Sequence, residues 1–380
     1  MKKGVNLVIF LISLSAFISI TLFEAFLVIL LIYYTLYLLK NRELPKGILF
    51  KPLVMYAVPT FLSALFYTPW YINKGIERSF FMFIYPIGGY ARRSEKFFYR
   101  LNMMLLSIGY ILIPVVIYRF YKTGQPAPVW GGWFEVGIFY SIFSLSALSL
   151  FIKDKKYVYL VSFFLFVCFV LLSMRRSAIL SLVISLFIFA FLMRKHLSFR
   201  SVVISSLMLL SMVGFSFYIL IKKDERFSTL YQVITGQKPL NEETLNKISS
   251  LRWQNFKAGV EVIKRDLSER NFLPLLIGHG VNPGFELEPK SQISGAYESV
   301  LFISVLIENG ILGLSGIAYL YAKYYTFVMR FRLSRENIFV VPFLLTPSLI
   351  FVGSIFTGFW DALLPLYLVW FRIVEEEQKA

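Results

Sequence analysis

Apolar runs of bilayer length recur along almost the whole of this 380-residue chain, and they constrain its fold more than any other feature. A helix crosses the hydrocarbon layer in roughly 17 to 25 apolar residues. Such runs lie near 5 to 22, 23 to 39, 52 to 70, 79 to 91, 101 to 118 and 134 to 152, then near 157 to 174, 177 to 193, 201 to 221, 297 to 322, 337 to 353 and 359 to 374. The fourth is short and interrupted by Pro86, Gly88 and Gly89. Lipid offers the backbone no hydrogen-bond partner, so each run has to be a helix. The expected fold class is therefore all-α: a polytopic integral membrane protein with about 12 transmembrane helices.

Composition supports this and removes other classes. Hydrophobic residues make up 57% and charged residues only 16%, with a mean hydropathy of +0.68, which no ordinary soluble domain shows. Cys168 is the single cysteine and sits in the apolar run Val158 to Leu172, so a disulfide framework is excluded. With two histidines, a metal site would draw most of its ligands from carboxylates, and neither metal nor cofactor is expected. Lys2 and Lys3 precede a first apolar run that a second follows at once, which reads as a retained anchor.

Cations set the orientation. Alternate short loops carry Lys40, Arg42, Lys46 and Lys51; Arg92, Arg93 and Lys96; Lys153, Lys155 and Lys156; Arg194, Lys195 and Arg200; and Arg330, Arg332 and Arg335. The opposite loops are poorer, with Lys74 and Arg78, Arg119 and Lys122, and Arg175 and Arg176. This positive-inside pattern puts both termini in the cytoplasm. It also explains most of the net charge of +17 through topology and anionic lipid, without nucleic acid.

Three regions follow: helices one to nine over 1–221, a large outer loop over 222–296, and helices ten to twelve over 297–380. In the loop, Asn241 to Asn271 opens with Asn-Glu-Glu and spaces Trp253, Phe256, Val260, Ile263 and Leu267 at three- and four-residue intervals, which predicts one amphipathic helix. Its apolar stripe suits the mouth of the bundle or the lipid interface. Pro274 to Phe285 then breaks into a glycine-rich turn containing His279.

Three short patterns carry a family resemblance. Arg176-Ser177-Ala178 opens a span; Arg252, Phe256-Lys257-Ala258, Pro274-Leu275, Gly278, Gly280 and Phe285 follow in order; and Glu298-Ser299, Leu301, Glu308, Gly310 and Gly313 open another span. Together, over residues 173 to 320, they resemble the O-antigen polymerase and ligase superfamily of membrane glycosyltransferases. Phe256 stands where the family has Trp, and Tyr297-Glu298-Ser299 where ligases have His-Asn, which favours polymerase. The resemblance implies that, at the outer face of a bacterial inner membrane, a glycan on polyprenyl diphosphate is transferred to a hydroxyl of another lipid-linked repeat unit, with a chain-length regulator and a flippase as partners. Ligase-type transfer to another lipid acceptor, or transport of lipid-linked oligosaccharide, are the alternatives.

Such chemistry needs fixed cations for a departing diphosphate, and arginine suits it because its planar fork binds phosphate oxygens bidentately. Arg176 and Arg252, with Arg175 as an auxiliary, are the diphosphate candidates; the alternative for the pair 175 and 176 is headgroup anchoring. An acceptor hydroxyl needs a base within hydrogen-bond reach, and Glu298 and His279 are the catalytic candidates. Glu308, roughly ten residues into its span, reads as a hydrogen-bonded structural group. Glu286 and Glu288 form a carboxylate pair whose polar surroundings suit solvation better than a cation.

In a Cys168→Ala background, single cysteines at Ser228 and Ser291 should react with an impermeant maleimide on intact cells, while one at Ser334 stays unlabelled. Labelling of the Ser334 position alone would invert the orientation.

Overall fold

In the computed structural model every element among the described residues is helical. The structure describes residues 2–91, 94–194, 224–293, 295–356 and 358–378, with isolated residues between 211 and 222. The ninth expected span, near 201 to 221, falls mostly outside these, as do the loop cations Arg92, Arg93, Lys195 and Arg200.

The first half holds α1 (Lys2–Ile18), α2 (Ile20–Asn41), α3 (Phe50–Tyr67), α4 (Ile72–Phe80), α5 (Glu95–Thr123), α6 (Trp133–Asp154), α7 (Tyr157–Leu172) and α8 (Arg176–Met193). The polar segment forms α9 (Glu225–Ile234), α10 (Glu242–Ser249), α11 (Arg252–Ser268) and α12 (Phe272–Ile277). Last come α13 (Leu301–Arg330), α14 (Val341–Ser354) and α15 (Leu364–Glu377). Six of these, α2, α3, α5, α6, α8 and α13, are long and apolar enough to cross a membrane, and Gly4–Ile18, Tyr157–Leu172 and Ile338–Ser354 are shorter apolar helices. The chain is a polytopic all-helical membrane protein. Its core runs through α6, which is buried almost all round: Tyr140 stacks on Phe169 with centroids 4.6 Å apart, and Phe139 meets Phe17 edge-on at 4.9 Å.

Several elements depart from the sequence reading. The first break falls at Ser19, whose extended backbone and hydroxyl cap α2 by accepting from the Leu22 amide at 3.3 Å. The fourth span is not one α-helix: α4 passes into a 3-10 helix, Phe81–Tyr90, with Pro86 inside it. Proline removes a ladder donor, and the segment is held instead by α15, where the Tyr85 hydroxyl donates to Glu375 Oε2 at 2.5 Å. The expected single helix over 241–271 is two, because Ser250 and Leu251 both adopt left-handed φ of 56° and 66°. Ser250 caps α10 through its own amide, and the Trp253 amide donates to Ser249 Oγ at 3.0 Å, starting α11 anew. The buried face of α11, Ala258 and Val262, packs on Tyr297 and Ile307, so this helix is fixed to α13.

The most consequential break lies within α13. Gly310 has φ 65° and ψ −172°, far from helical values, inside an otherwise continuous apolar helix. Beside it, the Ile307 carbonyl accepts the His279 amide at 2.7 Å and the Glu308 carbonyl accepts the Gly280 amide at 3.2 Å. The two chains cross backbone to backbone. A Cβ on Gly278, whose φ is +92°, would stand 2.2 Å from the Glu308 oxygen, and one on Gly310 would stand 2.4 Å from the Leu276 carbonyl carbon.

Alanine at Gly278 therefore meets both a positive φ and a backbone clash, and should cost about 1–3 kcal/mol or more. The measurement is the thermal unfolding midpoint of the purified protein in detergent. A midpoint equal to that of the parent for both Gly278→Ala and Gly310→Ala would show that the crossing is looser than described.

Candidate active site at an arginine-lined cavity

The turn joining α7 to α8 is tight, with Met174 at φ 51° and the Arg175 amide donating to Ser173 Oγ at 3.3 Å. It places Arg175 at the N-cap of α8 and Arg176 at its first position. The break at Ser250 and Leu251 places Arg252 at the first position of α11. Asp224 caps α9 and brings Arg226 to the same place. These four arginines line one cavity of about 570 Å³ whose other walls are largely apolar, including Leu180, Ile248, Val300 and Phe356. Trp253 and Phe256 also face it, with their rings stacked at 5.5 Å and 11°.

Each guanidinium is held differently. Arg176 Nη2 donates to the Ile248 carbonyl at 2.8 Å, and the group lies 5.5 Å over the Phe227 ring. Arg175 lies 5.5 Å over Trp133. Arg226 Nε donates to both Asp224 oxygens at 2.9 and 3.1 Å, its Nη2 pairs with the same carboxylate, and its Nη1 donates to Ser250 Oγ at 3.2 Å. The hydrogen bond to Asp224 raises the Arg226 pKa against the opposing effect of burial. For Arg252 and Arg175 burial is the largest effect. It pushes Arg252 below its ordinary value; Glu298 pulls it back up, while Arg175 and Arg226 lower it further. Burial and Arg226 also lower Arg175, against Glu135 and Glu298. The Nε atoms of Arg175 and Arg252 are buried without an acceptor among the described residues. An anion with several oxygens would relieve both the charge repulsion and these unmet donors.

Of the residues singled out from sequence, the structure brings Arg175, Arg176 and Arg252 to this cavity, with the Glu298 charge felt by Arg175 and Arg252. Glu298 precedes Ser299 and Val300 of the wall, and its carbonyl accepts Asn255 Nδ2 at 3.3 Å. His279 is not in the cavity wall. It is buried, with Nε2 2.7 Å from Asp266 Oδ2, tying the glycine turn to α11. Glu308 also lies elsewhere: Arg78 Nη1 donates to its Oε2 at 3.0 Å, and the Asn282 amide donates to its Oε1 at 3.2 Å. Arg226 escaped the sequence reading because an Asp-x-Arg start is ordinary helix capping, and nothing local marks its side chain as facing other arginines. Arg78 was read only as a loop cation.

Residues 161–318 match the family model described as O-antigen ligase, a stretch that contains all four cavity arginines and Glu298. The chain is also 40% identical over 380 residues to an uncharacterised protein of Aquifex aeolicus (strain VF5), an alignment covering 98% of this chain and 97% of that one.

His279 and Asp266 are both buried and paired with each other. His279→Ala leaves Asp266 buried without its partner and should lower stability by about 1–3 kcal/mol, read as a lower unfolding midpoint. A variant that melts like the parent yet has lost glycan transfer would instead make His279 part of the chemistry.

Proposed function

We propose, from the premise that this chain belongs to one family with its Aquifex aeolicus relative and carries an O-antigen ligase domain, that it polymerises lipid-linked glycan repeat units. The donor glycan leaves polyprenyl diphosphate and joins a hydroxyl of a second lipid-linked repeat unit. The single observation behind this is the gathering of Arg175, Arg176, Arg226 and Arg252 around one cavity with Glu298 beside two of them. As the bond between the anomeric carbon and the diphosphate oxygen breaks, negative charge grows on the leaving group. Pre-placed guanidinium donors stabilise that charge without reorganising. Glu298 takes the proton of the acceptor hydroxyl as its oxygen bonds to the anomeric carbon. Trp253 and Phe256 offer flat faces against which a sugar ring packs.

Polymerase is favoured over ligase by Tyr297-Glu298-Ser299, which departs from the His-Asn of ligases. The Tyr297 side chain is buried and its hydroxyl donates to the Pro289 carbonyl at 2.7 Å, so this position serves the loop scaffold and leaves Glu298 as the ionisable group. The cation pattern supports an outer, periplasmic position for the cavity, where lipid-linked repeat units and the proposed flippase and chain-length regulator would meet it.

Purified protein incubated with a synthetic lipid-linked repeat unit should produce a ladder of longer glycans. Arg176→Lys and Arg252→Lys should each abolish most of it with folding intact, by roughly 100- to 1,000-fold, because lysine cannot offer the bidentate fork. Glu298→Gln should slow the step by about 100- to 10,000-fold. Near-normal ladders from both lysine variants would reduce the arginines to headgroup anchors, and a single addition onto a different lipid acceptor would make the protein a ligase.

A further inference from the structure

A second cavity, about 610 Å³, lies between α1 and the start of α5, lined by Asn6, Leu7, Phe10, Ser94, Phe97 and the cations Lys96 and Arg100. It is separate from the arginine cavity in every lining residue. Lys96 and Arg100 stand one helical turn apart, so their side chains share a face of α5. Neither meets a carboxylate among the described residues, since Glu95, the nearest acid in sequence, is paired with Lys153 at 2.6 Å. The start of α5 adds partial positive charge: Ser94 Oγ accepts the Phe97 amide at 3.2 Å, and further first-turn amides point the same way. The apolar part of the wall is made by Leu7, Phe10 and Phe97. It continues onto the exposed side of α1, where Leu7 is 64% and Leu11 42% exposed.

We infer that this cavity holds one anionic phospholipid, with its phosphate between Lys96 and Arg100 and its acyl chains along Leu7 and Phe10. A soluble phosphate would use the cations and leave the apolar wall to water; a zwitterionic lipid would use the wall and leave the cations uncompensated. Only a lipid with net negative charge matches both parts. The loop partition of cations places this site at the cytoplasmic leaflet, where juxtamembrane lysine and arginine attract anionic lipid.

The test is native mass spectrometry of the full protein released from detergent mixed with equal phosphatidylglycerol and phosphatidylcholine. The parent should retain one phosphatidylglycerol in preference to phosphatidylcholine. Lys96→Gln with Arg100→Gln should cut that preference at least about fivefold, on the scale of the attraction of each surface cation for anionic lipid. Lys96→Arg with Arg100→Lys should keep it. Lys155→Gln with Lys156→Gln removes the same charge from exposed positions nearby and should change nothing. An equal loss from that control pair would mean diffuse surface charge and overturn the site, as would undiminished retention by the first pair. Displacement of the lipid by excess inorganic phosphate would show that the cavity recognises a free phosphoryl group instead. An unchanged melting midpoint in phosphatidylcholine alone keeps loss of fold apart from loss of lipid.

Discussion

A helix broken inside a bundle exposes carbonyls that hydrocarbon cannot satisfy, and the repair of such a break at Gly310 holds the polar segment of this protein to its membrane helices. The amides of His279 and Gly280 take the carbonyls of Ile307 and Glu308, and the Ser63 hydroxyl shares the second of these at 3.2 Å. Around that crossing the turn is pinned further. The Val281 amide donates to Thr68 Oγ1 at 3.0 Å, and Asn282 joins the Arg78 to Glu308 ion pair. A buried ion pair is weak evidence for stability in itself, but removing one partner leaves an unpaired charge, so the pair favours one arrangement of α4, α13 and the turn.

The same crossing positions the candidate active site from a distance. His279 is held by its backbone to α13 and by its ring to Asp266 near the end of α11. From Asp266 back to Arg252 is about 20 Å of rigid helix at 1.5 Å per residue. A strained turn at one end of α11 thus fixes where an arginine sits at the other. Ala258 and Val262, packed on Tyr297 and Ile307, hold the middle.

Gathering four arginines around one cavity opposes folding through both desolvation and mutual repulsion. Asp224 offsets one of them directly, Glu298 reaches two electrostatically, and Arg176 relies on a carbonyl and an aromatic face. Such an arrangement is poorly compensated without an anion, which fits the leaving diphosphate proposed for it: the stabilising donors are in place before the charge develops.

The sequence by itself determined the all-helical membrane character, because apolar length and backbone hydrogen bonding in lipid leave no other solution. It also showed where most helices run and which short motifs carry Arg175, Arg176, Arg252 and Glu298. Tertiary structure alone decided which of these meet. Arg176 reaches the carbonyl of Ile248 across 72 residues of chain, and Arg226 joins the cavity only because α9, α10 and α11 fold back on α8. It also paired His279 with Asp266 away from the wall of the arginine cavity, and split a continuous amphipathic pattern at Ser250 and Leu251. Periodicity and composition register the solvent a residue prefers; they are silent on a left-handed φ or a partner far along the chain, since both are set by how already-formed helices pack.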